Sequence, residues 1–150
     1  MASKVQGGLG RSPLHLLHRA QQLSEVLFEA GVGDADVTPR QFAVLTAVAE
    51  NEGLSQMGIA ERTGIDRSTL AELVRRLDKK GLLQRRRNRK DARAYIVKLT
   101  DEGQKILRKM TPLAVTVDRR IMEATGGDTD EFLERLQDMI GKLQRVTAAD

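Results

Sequence analysis

The densest chemistry in the chain is a run of cations, Arg85, Arg86, Arg87, Arg89, Lys90 and Arg93, opposed locally only by Asp91. Such a cluster repels itself unless water solvates it or a polyanion neutralises it. A double-stranded nucleic acid supplies phosphates whose condensed counterions are released on contact. The plain alternative is a solvated turn. Just upstream, Arg67, Ser68, Thr69, Glu72, Arg75 and Arg76 alternate with Leu70, Leu73, Val74 and Leu77, which fall at i, i+3, i+4 and i+7. On a helix this spacing buries one stripe and turns the donors and cations to other faces. Arg67, Ser68, Thr69 and Glu72 are then placed for base edges or nearby phosphates. Arg75 and Arg76 suit the phosphate backbone, where contacts fix register without reading sequence. Two other readings stand beside these: Ser68 and Thr69 serve only the helix start, or Glu72 pairs with Arg76 at i+4.

The elements that must position these groups follow from periodicity and capping signals. Leu16, Ala20, Leu23, Leu27 and Ala30, widened by Leu14, Leu17 and Phe28, predict a first long helix that stops near 31–36. Thr38, Pro39 and Gln41 have the form of a capping box with proline at the first helical position, opening a second helix with Phe42, Val44, Leu45, Val48 and Ala49 on its apolar side. Ser55 caps a third helix through about Thr63, Gly64 makes the tight break, and Asp66 caps the fourth. Strands are expected over 82–86 and 94–99, around a charged loop over 87–93. Thr100 opens a fifth helix carrying Ile106, Met110, Leu113, Val117 and Ile121, with a kink expected at Pro112. Gly126 and Gly127 break the chain. A capping pair of Asp128 and Glu131 then opens a last helix with Phe132, Leu136, Met139 and Leu143 in its stripe.

Short helices followed by a basic hairpin predict a mainly α (α+β) fold, a winged helix-turn-helix flanked by N- and C-terminal helices. The expected organisation is one domain over 1–150, a DNA-binding lobe over 38–100 and flanking helices over 11–31 and 101–147. At 150 residues the chain is long enough for one core and too short for two unrelated ones. Aromatic residues make up only 3% of it, so the core must come from aliphatic side chains. The net charge of +4 is too mild to argue for a polyanion by itself, and the clustering carries that argument. The absence of cysteine excludes disulfides, thiolate metal sites and sensing by thiol oxidation. No glycine-rich phosphate loop follows a strand, and both histidines are far in sequence from clustered carboxylates, so no enzyme is expected. Without a membrane-length apolar run or a secretory signal, a cytoplasmic location is expected and no membrane partner.

The stretch LSQMGIAERTGIDRSTLAELVRRLDKKGLLQRRRNRKDARAYIVKLTDEG, from Leu54 to Gly103, resembles the DNA-binding half of MarR-family transcription regulators. Its strongest marks are LDKKGLLQR leading into the wing, Asp91-Ala92-Arg93 at the tip, and KLTDEG opening the next helix. The resemblance implies a homodimeric repressor on a pseudo-palindromic operator, with the helices over 11–31 and 101–147 as dimerisation helices and with Arg93 entering the minor groove, oriented by Asp91. Many members carry another arginine where Ala92 stands, so that contact is absent or moved to Arg89. Arg87 replaces a frequent proline, which implies a more flexible and more purely electrostatic tip. The family further implies release by a small aromatic or phenolic anion bound between the dimer helices and the DNA-binding lobe. Arg11, His15, His18, Arg19, Arg40 and Phe42 are the candidates to hold it. His15 and His18 also have metal-compatible spacing but no obvious third ligand, so neither metal nor cofactor is expected; ordinary interface histidines are the third possibility. The rival to this reading is a non-specific architectural or RNA-binding protein. RNA recognition usually stacks bases on exposed aromatics, and the single tyrosine, Tyr95, is expected half-buried in a wing strand.

Overall fold

The computed structural model describes residues 8–91 and 93–148. After a single 3₁₀ turn at Leu9–Arg11 come α1 (Pro13–Val32), α2 (Pro39–Glu50), α3 (Gln56–Thr63) and α4 (Arg67–Lys79). The strands β1 (Leu83–Arg87) and β2 (Tyr95–Leu99) follow, then α5 (Asp101–Thr125) and α6 (Thr129–Thr147). The fold is the winged helix-turn-helix expected from the pattern.

Local chemistry explains most boundaries. The α2 start is a full capping box: the Gln41 N–H donates to Thr38 Oγ1 at 3.2 Å, and the Thr38 N–H donates to Gln41 Oε1 at 3.1 Å. The Ser55, Asp66 and Thr100 side chains likewise accept from the first turns of α3, α4 and α5. Gly64 ends α3 at φ 69°, a left-handed conformation that glycine adopts without a Cβ penalty. At Asp128 only half the expected pair forms. Its carboxylate accepts from the Asp130 and Glu131 N–H groups, while the Glu131 side chain bonds Arg135 one turn ahead at 2.7 Å. α5 continues through Pro112, which sits inside its span rather than ending it.

β1 and β2 pair antiparallel with Leu83 opposite Leu99 and Arg87 opposite Tyr95, each strand running one residue later at its start than expected. Alternation puts Leu83 and Val97 on the buried face, and the same face emerges into solvent at Arg85, Arg87 and Tyr95. A bridge from Ser55 to Ile96, with the Val97 N–H donating to the Leu54 carbonyl at 3.2 Å, ties the wing to the start of α3.

Leu45, Ile59, Leu70, Val74, Leu77, Leu83, Val97 and Met110 are the fully enclosed centre of the core. α4 buries Leu70, Val74 and Leu77 of the stripe expected of it and leaves Leu73 half-buried, whereas in α2 Ala47 faces inward and Ala49 lies exposed. The terminal helices behave differently. α1 buries only Phe28 and Val32, and α6 buries nothing; Leu14, Leu23, Ile140, Leu143 and Val146 lie open. Where α1 crosses α5, Gly31 makes close approach possible, because a Cβ there would stand 2.7 Å from Val117 Cγ2.

Candidate nucleic-acid interface

Asp66 organises the first turn of α4. Its carboxylate accepts from the Thr69 N–H at 2.9 Å and from Ser68 Oγ at 2.8 Å. Bonds to the Thr69 side chain and backbone, then to Ser68, pull its carboxyl down to about 2, because they stabilise the charged form. The helix-start reading of Ser68 and Thr69 is thus realised, while Arg67 and Ser68 remain exposed in the first turn of the helix. One turn further, Arg76 Nε donates to Glu72 Oε1 at 2.8 Å, and Arg75 bonds the other carboxylate oxygen. Arg76 first and Arg75 second hold the Glu72 carboxyl below its ordinary value. Of the two readings of Glu72, the pairing with Arg76 is the one present.

The wing divides its cations. Arg85 reaches Asp78 at 3.5 Å, and its guanidinium sits 5.8 Å from the centroid of Tyr95, which is 40% exposed and so more open than expected. Arg86 donates to Gln84 Oε1 at 3.1 Å. Among the described residues Arg86, Arg87, Arg89, Lys90 and Arg93 have no acidic side-chain partner, and all are exposed. Two side-chain turns shape the tip: Asn88 Oδ1 accepts from the Lys90 N–H and Asp91 Oδ1 from the Arg93 N–H, each at 3.0 Å. Asp91 therefore fixes the backbone of Arg93 and leaves its guanidinium to reach outward. The expectation attached to Ala92 lies outside the described residues.

The six effector candidates are not gathered into one cavity of the single chain. Arg11, His18 and Arg19 are exposed on the N-terminal turn and α1, His15 is half-buried, and Phe42 packs tilted against Phe28 with ring centroids 5.8 Å apart. Arg40 alone of the six lines the shallow cavity between α2 and the α3–α4 turn. No third metal-ligating side chain joins the two histidines among the described residues. A second cavity, about 360 Å³, lies between the end of α2, β2 and the start of α5, with Val48, Leu99 and Leu107 as apolar wall and Glu52, Lys98, Gln104 and Arg108 as charged and polar groups. Sequence reasoning missed Lys98 and Arg108, because only the crossing of β2 and α5 brings them together.

Fold and surface together define a winged helix-turn-helix protein with a basic wing. A sequence model described as MarR family matches residues 35–94. The transcriptional regulator HosA of Escherichia coli O111:H- is 34% identical over 101 residues, covering 67% of this chain and 75% of that one. The crystal structure of the PcaV transcriptional regulator from Streptomyces coelicolor with its natural ligand superposes with a TM-score of 0.76 at 33% identity, over 100% of this chain and 99% of that chain. The transcriptional repressor CouR, bound to a 23-mer DNA duplex, gives 0.76 at 30% identity over 92% and 96%. The chain belongs to the MarR family and is a transcriptional regulator rather than an enzyme. Among the described residues no helix is long and apolar enough to cross a membrane.

Proposed function

We propose that the protein is a ligand-responsive repressor that binds a pseudo-palindromic duplex operator as a homodimer. The observation that carries this is the set of wing cations without acidic partners, presented beside the exposed N-terminal turn of α4. In this reading Arg67, Ser68, Thr69 and Glu72 lie in or against the major groove, and Arg75 and Arg76 meet phosphates. The wing residues Arg85, Arg86, Arg87, Arg89, Lys90, Asp91 and Arg93 take the flanking backbone and minor groove, whose narrow stretches attract an inserted guanidinium. Residues 38–100 act as the DNA-binding lobe within one domain. The helices over 11–31 and 101–147 meet their copies through the open apolar faces of α1 and α6, which a lone lobe would not need.

Two-fold symmetry would set the recognition helices about one DNA turn, ~34–36 Å, apart. The effector is proposed to be a small aromatic or phenolic anion held by Arg11, His15, His18, Arg19, Arg40 and Phe42, a set that a second copy would have to complete. The cavity beside Lys98 and Arg108 is the other seat, favoured by its ligand-sized volume. Fluorescence anisotropy against duplexes tiling the DNA beside the gene tests the main reading. One tile should bind at least ~10³ more tightly than a scrambled duplex at matched salt. Arg93→Ala should weaken that binding without loss of helix content, and unchanged binding would remove Arg93 from the interface. Equal binding to every tile would favour the architectural alternative.

A further inference from the structure

Two cations of α4, Arg75 and Arg76, are treated differently from most of those on the wing. Along the wing only Arg85 has an acidic partner among the described residues, whereas Arg75 and Arg76 share the Glu72 carboxylate, one on each oxygen. The other acids nearby are occupied: Asp66 by Ser68 and Thr69, and Asp78 by Arg85. Both guanidiniums stay open, 66% and 63% exposed, so either could turn toward a phosphate once released. The shared carboxylate cuts the joint charge of the pair from two to one and occupies one nitrogen of each guanidinium.

We propose that Glu72 sets the specificity of DNA binding by holding Arg75 and Arg76 off the phosphate backbone at non-specific sites. The inference rests on the duplex-reading function proposed above. A loosely docked duplex offers phosphates in no fixed register, so gaining them costs the two ion pairs and brings a carboxylate toward the polyanion. A fully docked operator fixes phosphates against the helix and draws the guanidiniums away. The wing then supplies attraction to any duplex, and Arg75 and Arg76 withhold their contribution until the register is correct.

The test is anisotropy at several salt concentrations, with the operator tile and a scrambled duplex of equal length. The proteins are the wild type, Glu72→Gln, the Arg75→Ala/Arg76→Ala double variant and the triple variant, each checked for helix content. Glu72→Gln keeps size and removes charge. It should tighten scrambled-duplex binding roughly two- to fivefold per recognition helix engaged, the range of an exposed ion pair. The dependence on salt should steepen by about one phosphate per helix. The operator-to-scrambled ratio should fall, and the tightening should vanish when both arginines are absent. Unchanged or weaker scrambled binding overturns the inference. An equal gain without the arginines also overturns it, since that is a bulk charge effect. If the wild type binds neither duplex, the DNA reading fails and takes this inference with it. If the wild type binds and Glu72→Gln changes nothing, the inference fails alone.

Discussion

Replacing Gly103 by alanine tests how tightly the wing is joined to α5. A Cβ at this position would lie 2.0 Å from the Leu82 carbonyl oxygen, where Cβ contacts essentially never fall below 3.0 Å, and 3.1 Å from Leu99 Cδ2. The obstacle is backbone, so no rotamer change relieves it. Leu82 is itself held, because its carbonyl accepts from the Thr100 N–H at 3.1 Å, and Thr100 Oγ1 donates to the Gly81 carbonyl at 2.6 Å. Retreat of Leu82 by the needed distance breaks the first of these bonds. Overpacking of a close-packed site costs about 1–3 kcal/mol, and a lost internal hydrogen bond about 1 kcal/mol. The gain from replacing glycine within a helix offsets at most about 1 kcal/mol, and less in a first turn. A net loss of about 2 kcal/mol corresponds to a melting temperature ~4–8 °C lower for a chain of this size. Circular dichroism melts at one fixed protein concentration measure it, since association shifts the midpoint. Gly31→Ala is the control: its obstacle is the Val117 side chain at 2.7 Å, which can shift, so it should melt within about 3 °C of wild type. The reasoning is refuted if Gly103→Ala melts no lower than Gly31→Ala.

Two further outcomes are expected. Asp66 has its acidity strengthened in the fold, so its stabilising contribution is complete above the ordinary aspartate range and disappears as pH falls through about 2. Asp66→Ala should therefore be less stable than wild type at neutral pH, with the gap closing in urea titrations taken from pH 4 down to pH 2; a constant gap refutes the cap's role. Ile140→Asp with Leu143→Asp, both on the open face of α6, should yield a smaller species in analytical ultracentrifugation with helix content retained. An unchanged sedimentation coefficient would show that the open face of α6 does not join two copies of the chain.

Legibility differed among the elements for reasons that can be named. The stripe Leu70, Leu73, Val74 and Leu77 and the caps Thr38, Asp66 and Thr100 were readable because helix burial and capping depend on spacings of three and four residues. The basic hairpin was readable because six cations in one short stretch are unusual in any context. Glu131 was misassigned because it had two partners within one turn, the N-cap backbone and Arg135, and spacing alone does not rank them. The effector candidates do not meet within one chain because Arg11, in the turn before α1, and His18 and Arg19, on α1, face solvent rather than the rest of their own chain.

What the sequence determined by itself was therefore local and periodic: which segments are helices or strands, where they start, and that a dense positive charge sits at the hairpin tip. The tertiary structure decided which cations are neutralised within the chain and which are left for a partner. Glu72 took Arg75 and Arg76, Asp78 took Arg85, and the remaining wing cations found no acid among the described residues. It also decided which apolar stripes are core and which are left open. Leu77 and Leu143 occupy similar stripes in sequence, yet one is enclosed by α2, α3 and the wing while the other faces solvent. Periodicity specifies a face, and only the packing of distant segments against that face specifies what it meets.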